Sequence, residues 1–209
     1  MSDCCQEAWT FSDRFGPRRR VFLHKQTNTV YKYFDNLREE DKYLNPNIIR
    51  KLISNVMPLP NITLTPSGKR VHTLSYTFVK GNNCPAKLRS FVGVVKTLSR
   101  MHEHKLVHGD VRQDNLVFPE DSGDSYLIDF DFVGEHSTSL YPADYNDNFN
   151  ERHQDAHAGC LMMLSHDRFS LAYVIRSNVP GAPPHIVEQL LDLSFSLNHI
   201  VSQLESTDD

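Results

Sequence analysis

The sequence predicts an α+β chain whose strands are gathered in residues 1–80 and whose helices lie in residues 81–209. Two patterns predict this. Up to Val79, β-branched and aromatic residues cluster in short runs separated by polar turns. From Pro85 on, apolar residues recur at three- and four-residue steps, the spacing of one helix face. A third observation concerns two short stretches in the second half, residues 106–118 and 126–132. Both set acids and amides beside β-prone residues, as short strands do when they present polar groups from loops at their ends.

A length of 209 residues suits one large domain or two small lobes with ample material for a core. Hydrophobic residues at 39% and charged residues at 23% are those of an ordinary folded chain. The net charge of −4 supplies no basic field, so no nucleic-acid partner is expected. Cys4, Cys5, Cys84 and Cys160 share no repeated spacing and read as reduced thiols of a cytoplasmic or nuclear protein. No signal-peptide core opens the sequence, and no stretch approaches the roughly 20 apolar residues that cross a bilayer, so no membrane association is expected.

Residues 8–11, 21–24 and 29–34 read as a meander, interrupted at 12–17 and by the turn at 25–28. Alternation puts Val30, Lys32 and Phe34 on one face of the third strand and Tyr31 and Tyr33 on the other. A lysine in such a run is unusual, and a solvent-facing position is its plainer explanation. Arg18, Arg19 and Arg20 form a basic turn, either simply solvated or placed to meet an acidic substrate. A helix is expected over 46–55, then a hairpin of 61–65 and 71–79 around Pro66-Ser67-Gly68-Lys69, which brings the strands to five. Lys80-Gly81-Asn82-Asn83 reads as a linker.

Beyond it, residues 85–104 form an amphipathic helix with Leu88, Phe91, Val92, Val95, Leu98 and Met101 on one face. Two short strands, 116–118 and 126–128, flank a turn at 119–124. Residues 134–154 are polar and irregular, with the acids Asp144, Asp147 and Glu151 and the aromatics Tyr141, Tyr145 and Phe149. His153, His157 and Cys160, with Asp155 and His166 nearby, have helix-compatible spacing for zinc, but a single cysteine makes lining of this segment the plainer role. A helix follows around Asp167. Residues 183–204 read as one final helix, its stripe of Ile186, Leu190, Leu193, Leu197, Ile200 and Leu204 either packing inward or offering a dimer face.

The pattern His108-x-Asp110-x-x-x-x-Asn115, with Asp129 fourteen residues later, resembles the catalytic loop and metal-binding segment of the protein-kinase-like phosphotransferases. Asp167-Arg168-Phe169-Ser170-Leu171-Ala172 is similar to the start of the buried central helix of a kinase large lobe. The resemblance implies a two-lobed protein-kinase-like fold, with a five-stranded N-lobe at 1–80 and a trimmed helical C-lobe at 81–209. It implies an ATP- and Mg2+-dependent kinase acting on a hydroxyl, with a lean toward a protein Ser, Thr or Tyr. Under it Lys32 would position phosphates, Glu40 would pair with Lys32, and the hinge Phe78 to Lys80 would bind adenine through its backbone. Asp110 would orient the acceptor, Arg112 would neutralise charge, Asn115 and Asp129 would hold the metal, and Asp167 would brace the loop from below.

Several positions depart from that pattern. The first strand loop carries only Gly16 where glycines would cradle phosphate. Gly109 replaces the arginine by which regulated kinases sense a phosphorylated segment, Asp131 replaces the glycine of Asp-Phe-Gly, and no Ala-Pro-Glu follows. Asp131 could add a carboxylate behind the metal. His-Gly-Asp is also similar to small-molecule phosphotransferases of the aminoglycoside and choline type and, more loosely, to the compact kinase domains of crinkler-type effectors. The missing glycines leave open a pseudokinase that binds without turnover.

Overall fold

The computed structural model describes residues 9–12, 19–35, 63–66, 71–82, 87–119 and 125–207. The chain divides into two compact units, Met1–Val79 and Lys80–Asp209.

The first unit holds an antiparallel sheet of β1 (Trp9–Ser12), β2 (Arg19–His24), β3 (Thr29–Asp35), β4 (Thr63–Pro66) and β5 (Val71–Thr77), in the order β1-β2-β3-β5-β4. β3 is the middle strand, so both its backbone edges are paired. Lys32 lies opposite Val21 on one side and Leu74 on the other. Cross-strand partners share a face, and with Val30 and Leu74 buried Lys32 is buried too, at 4% exposure. The solvent-facing explanation of this lysine is thereby excluded. Arg19 and Arg20 open β2, paired with Phe34 and Tyr33, and do not belong to a turn. Gly16, Arg18, Glu40, the helix expected at 46–55 and residues 67–69 of the turn expected at 66–69 lie outside the described residues.

The second unit opens with a backbone bridge in which Asn82 and Phe118 exchange hydrogen bonds of 3.1 and 2.9 Å. A tight turn, Leu88–Phe91, leads into helix α1 (Val92–Glu103), whose Val94, Val95, Leu98 and Met101 are buried. Val94 takes the inward place that periodicity gave to Val92. Lys105, at φ +57°, ends the helix and turns the chain into β6 (Leu106–Val107). The hairpin β7 (Leu116–Val117) and β8 (Tyr126–Leu127) follows, and β9 (Gly134–Glu135) pairs back onto β6. α1 passes very close to this hairpin: a Cβ on Gly93 would lie 2.2 Å from Ser125 O, and Val94 N–H donates to Ser125 Oγ at 3.1 Å.

Helix α2 (Leu164–Asn178) packs against α3 (Pro184–Leu191), and α4 (Leu197–Ser206) packs against α1. The single helix expected over 183–204 is therefore two. The break has a local cause. Asp192 Oδ1 accepts the Ser194 N–H at 2.8 Å, an Asx turn, and Ser196 caps α4 by accepting His199 N–H at 3.1 Å. Arg168 of α2 reinforces it by donating to the carbonyls of Gln189, Leu190, Asp192 and Phe195 at 2.6–2.9 Å. The apolar stripe turns inward: Ile186, Leu190, Leu197, Ile200 and Leu204 are buried, and Leu193 alone of the stripe is exposed, at 59%. A dimer face built on that stripe is thus not available, because the unit's own helices cover it. No described helix is long and apolar enough to cross a membrane.

Candidate active site

β6 follows α1 and leads into residues 108–115, in which His108, Asp110 and Asn115 are buried and Asp167 holds the start of the loop. Asp167 Oδ2 accepts the His108 N–H at 2.7 Å and His102 Nε2–H at 3.1 Å, while Oδ1 accepts the Gly109 N–H at 2.9 Å. Burial pushes this carboxyl up, but the His102 hydrogen bond and charge, with His108 and the Gly109 N–H, outweigh it and hold it below the ordinary value. A fully buried carboxylate thus stays charged and fixes two consecutive backbone donors.

His108 is the second fixed point. Its Nε2–H donates to Ile128 O at 3.1 Å, and its Nδ1 accepts the Asp110 N–H at 3.2 Å. Together these bonds require the neutral Nε2–H tautomer. Burial, opposed by Asp167, Asp110 and Asp129, keeps the imidazole below its ordinary pKa. Its ring meets Phe130 edge-on, with centroids 5.0 Å apart. It is a packing and bonding group. Gly109 has φ +79°, and a Cβ there would lie 2.7 Å from Met162 Cε and 3.0 Å from Phe132 O. An arginine at this position has neither the backbone freedom nor the room.

Above this base, Asn115 Nδ2 donates to both the carbonyl and the Oδ2 of Asp110, at 2.8 and 2.7 Å. With the amide nitrogen so used, the Asn115 side-chain oxygen is the atom left to ligate. The Ile128 N–H donates to Asn115 O at 2.9 Å, which brings Asp129 alongside. Asp129 itself adopts φ +63°, ψ +65°, a left-handed conformation uncommon for a non-glycine residue and enriched at functional sites. An amide oxygen and a carboxylate on adjoining loops fit a hard, oxygen-seeking Mg2+, which takes one or two protein ligands and completes its shell with phosphate and water. Asp131 is buried.

Zinc does not fit the other set. Among the described residues no three His, Cys, Asp or Glu side chains gather to hold a metal. The His153 and His166 rings instead stack at 4.9 Å, and Tyr141 OH and His166 Nδ1 are 3.1 Å apart. Tyr141, Tyr145, Ala156 and Met162 form with Val107 a small core that supports the segment after Asp129. Burial, helped by the Asp167 charge, raises the Tyr141 phenol far above its ordinary value.

That segment supplies a residue the sequence did not single out. Arg152 Nη2 donates to Asp110 Oδ1 at 2.7 Å, and Nη1 donates to Gly109 O at 3.2 Å. Its guanidinium lies over the Tyr145 ring at 3.8 Å, and Tyr145 OH donates to the same Gly109 carbonyl at 2.8 Å. Arg112 approaches the other oxygen, with Nε 3.4 Å from Asp110 Oδ2, and its guanidinium sits 4.7 Å from the centre of the Phe149 ring. Burial lowers the Arg152 pKa and Asp110 opposes that. Nothing in the local sequence marks Arg152, because its partner is 42 residues away.

Asp110, Arg112, Asn115 and Asp129 are thus brought together in the second unit. Lys32 belongs to the first. The Phe78 N–H donates to Asn28 O at 2.8 Å and its carbonyl accepts Asn28 Nδ2 at 3.2 Å.

No family model matches the chain. A serine/threonine-protein kinase C of Synechocystis sp. is 27% identical over 121 residues, covering 58% of this chain and 19% of that protein. A probable serine/threonine-protein kinase of fowlpox virus is 25% identical over 101 residues, covering 44% of this chain and 33% of that protein. The chain thus spans a third or less of the length of either curated relative. Both partial similarities point to a distant, kinase-like relationship.

Proposed function

We propose that this chain is a two-lobed, protein-kinase-like phosphotransferase that moves the γ-phosphate of ATP, with Mg2+, to a hydroxyl on a protein Ser, Thr or Tyr. The observation that supports it best is the braced loop: Asp167 holds the His108 and Gly109 amides, and above them Asn115 fixes Asp110. A chance set of loop acids has no reason to be so fixed.

In this reading the acceptor oxygen bonds to the γ-phosphorus as the bond to the β-phosphate oxygen breaks, ADP leaves, and the hydroxyl proton passes to Asp110. Asn115 and Asp129 would hold Mg2+, which would neutralise phosphate charge. Lys32 would steady the phosphates, with Glu40 its proposed partner, and the stretch Phe78 to Lys80 would meet adenine. Arg112 would offset charge on the moving phosphoryl group.

Magnesium-dependent ATP turnover with peptide and small-alcohol acceptors tests this, with Asp110→Asn and Asp129→Ala alongside. Transfer by the unaltered chain, reduced by about 100-fold or more in both variants, is the expected result. Transfer confined to small alcohols would instead support an aminoglycoside- or choline-kinase-type enzyme. A pseudokinase is the second reading, and one observation favours it: Asp110 is only 4% exposed and lies under Arg152. ATP binding without transfer to any acceptor would establish it.

A further inference from the structure

Asp110 is shared between two cations. Arg152 engages Oδ1 at 2.7 Å from one side, and Arg112 reaches Oδ2 at 3.4 Å from the other, where Asn115 also donates. The Arg152 side chain is 8% exposed, and its Nε is buried with no hydrogen-bond partner. Two guanidinium groups therefore face the buried Asp110 carboxylate. The second carboxylate near them, Asp114, is solvent-exposed and 3.4 Å from Arg112 Nη1, where water screens it.

This arrangement discriminates between acceptors. Asp110 is 4% exposed and lies under Arg152, so a neutral hydroxyl that displaces this charge-assisted hydrogen bond to reach it would leave a buried guanidinium without its counter-charge. A hydroxyl flanked by an anion meets neither obstacle. The anion takes over the guanidinium and satisfies the stranded Nε, while the hydroxyl takes the vacated carboxylate oxygen. Tyr145 and Phe149 hold the two arginines from their ring faces, which suits planar recognition of carboxylate or phosphate.

We propose that Arg152 and Arg112 form a recognition site for an anionic group beside the acceptor hydroxyl, so that the preferred acceptor is a hydroxyl next to a carboxylate or phosphate. Binding of that anion also unmasks Asp110. The proposal rests on the phosphotransfer reading for its catalytic consequence, but the anion site can be measured without turnover.

The test compares two serine peptides, one with Asp and phosphoserine flanking the acceptor and one with Asn and Ser in their place. A hydroxy acid and its neutral amide form a parallel small-molecule arm. kcat and KM are measured for the unaltered chain, Arg152→Gln, Arg152→Lys and Arg112→Gln, with binding titrated separately and thermal unfolding checked for each variant. A preference for the acidic acceptor of about tenfold or more in kcat/KM, carried by KM and erased in Arg152→Gln, is expected. Arg152→Gln should also gain on the neutral peptide, because Asp110 is no longer covered. Acid preference in either arm supports the site and names its source. Equal kcat/KM for acidic and neutral acceptors in both arms would overturn it, as would equal losses on both in Arg152→Gln. If no transfer occurs at all, the phosphotransfer reading fails separately. Tighter binding of the acidic peptide, lost in Arg152→Gln or Arg112→Gln, would then still support the anion site, and equal affinities would overturn it.

Discussion

Asp167 Oδ2 lies 2.7 Å from the backbone nitrogen of His108, and through that contact helix α2 carries the loop that presents Asp110. Every acceptor position of this carboxylate that the loop uses is occupied by an N–H. Substitution acts on the loop, not on the chemistry directly.

Asp167→Asn turns one of those acceptors into a donor facing a donor in a buried site. A loss on the order of 3 kcal/mol in stability is expected, with phosphotransfer lowered in parallel. Denaturant midpoints together with turnover would check it. A variant of unchanged stability would show that the brace is dispensable.

Acid should weaken the fold before it reaches the carboxylates. His108 and His166 both titrate below the ordinary value of 6.5 in the folded chain, chiefly because burial disfavours the imidazolium. The unfolded chain therefore binds more protons as pH drops through 6.5, and the stability present above that pH is lost downward through the folded pKa values. Asp167, held below 3.8, adds its own loss only at still lower pH. Thermal midpoints at about pH 7.5 and about pH 5.5 should differ, the lower pH giving the lower midpoint. Equal midpoints would contradict the neutral, doubly bonded state of His108.

Gly109→Ala meets both a φ of +79° and a Cβ placed 3.0 Å from Phe132 O. About 1–3 kcal/mol of destabilisation is expected, with a drop in turnover because Gly109 adjoins Asp110. Met162→Ala relieves the side-chain clash but empties part of a buried core and costs stability of its own, so the double variant is compared with Met162→Ala alone, where Gly109→Ala should cost less but still something. No added cost of Gly109→Ala in the Met162→Ala background would show that the conformation costs nothing.

Arg168→Lys removes a planar fork that now serves the carbonyls of Gln189, Leu190, Asp192 and Phe195. An ammonium cannot reach the same geometry, and a loss of about 2 kcal/mol or more is expected by chemical denaturation. Arg168 does not touch the loop that carries Asp110, so turnover of the folded fraction should change little, which separates this variant from Asp167→Asn.

Much of this was legible in the sequence, for reasons that differ by element. The strands of the first unit showed through their β-prone runs, but the burial of Lys32, for which a solvent-facing position was the plainer explanation, became visible only with β3 paired on both edges. The role of Asp167 was readable because its neighbours repeat a known arrangement. The last helix misled, because apolar steps of three and four run straight across Asp192–Ser196, although Asp192 and Ser196 themselves carry the turn and cap chemistry that ends one helix and starts the next. The hydrogen-bond partner of Phe78, Asn28, lies 50 residues earlier and left no mark in the local sequence. Arg152 had no local signal at all. A pairing across such a separation is a property of the folded chain, not of any window of sequence.

The close passage of α1 over Ser125 works as a mechanical datum for the whole loop assembly. With only 2.2 Å between Ser125 O and the place where a side-chain carbon on Gly93 would stand, the helix cannot slide or roll without moving β8, and β8 leads directly to Asp129. A bulkier residue at position 93 would therefore throw the site out of alignment while leaving each of its own residues in place.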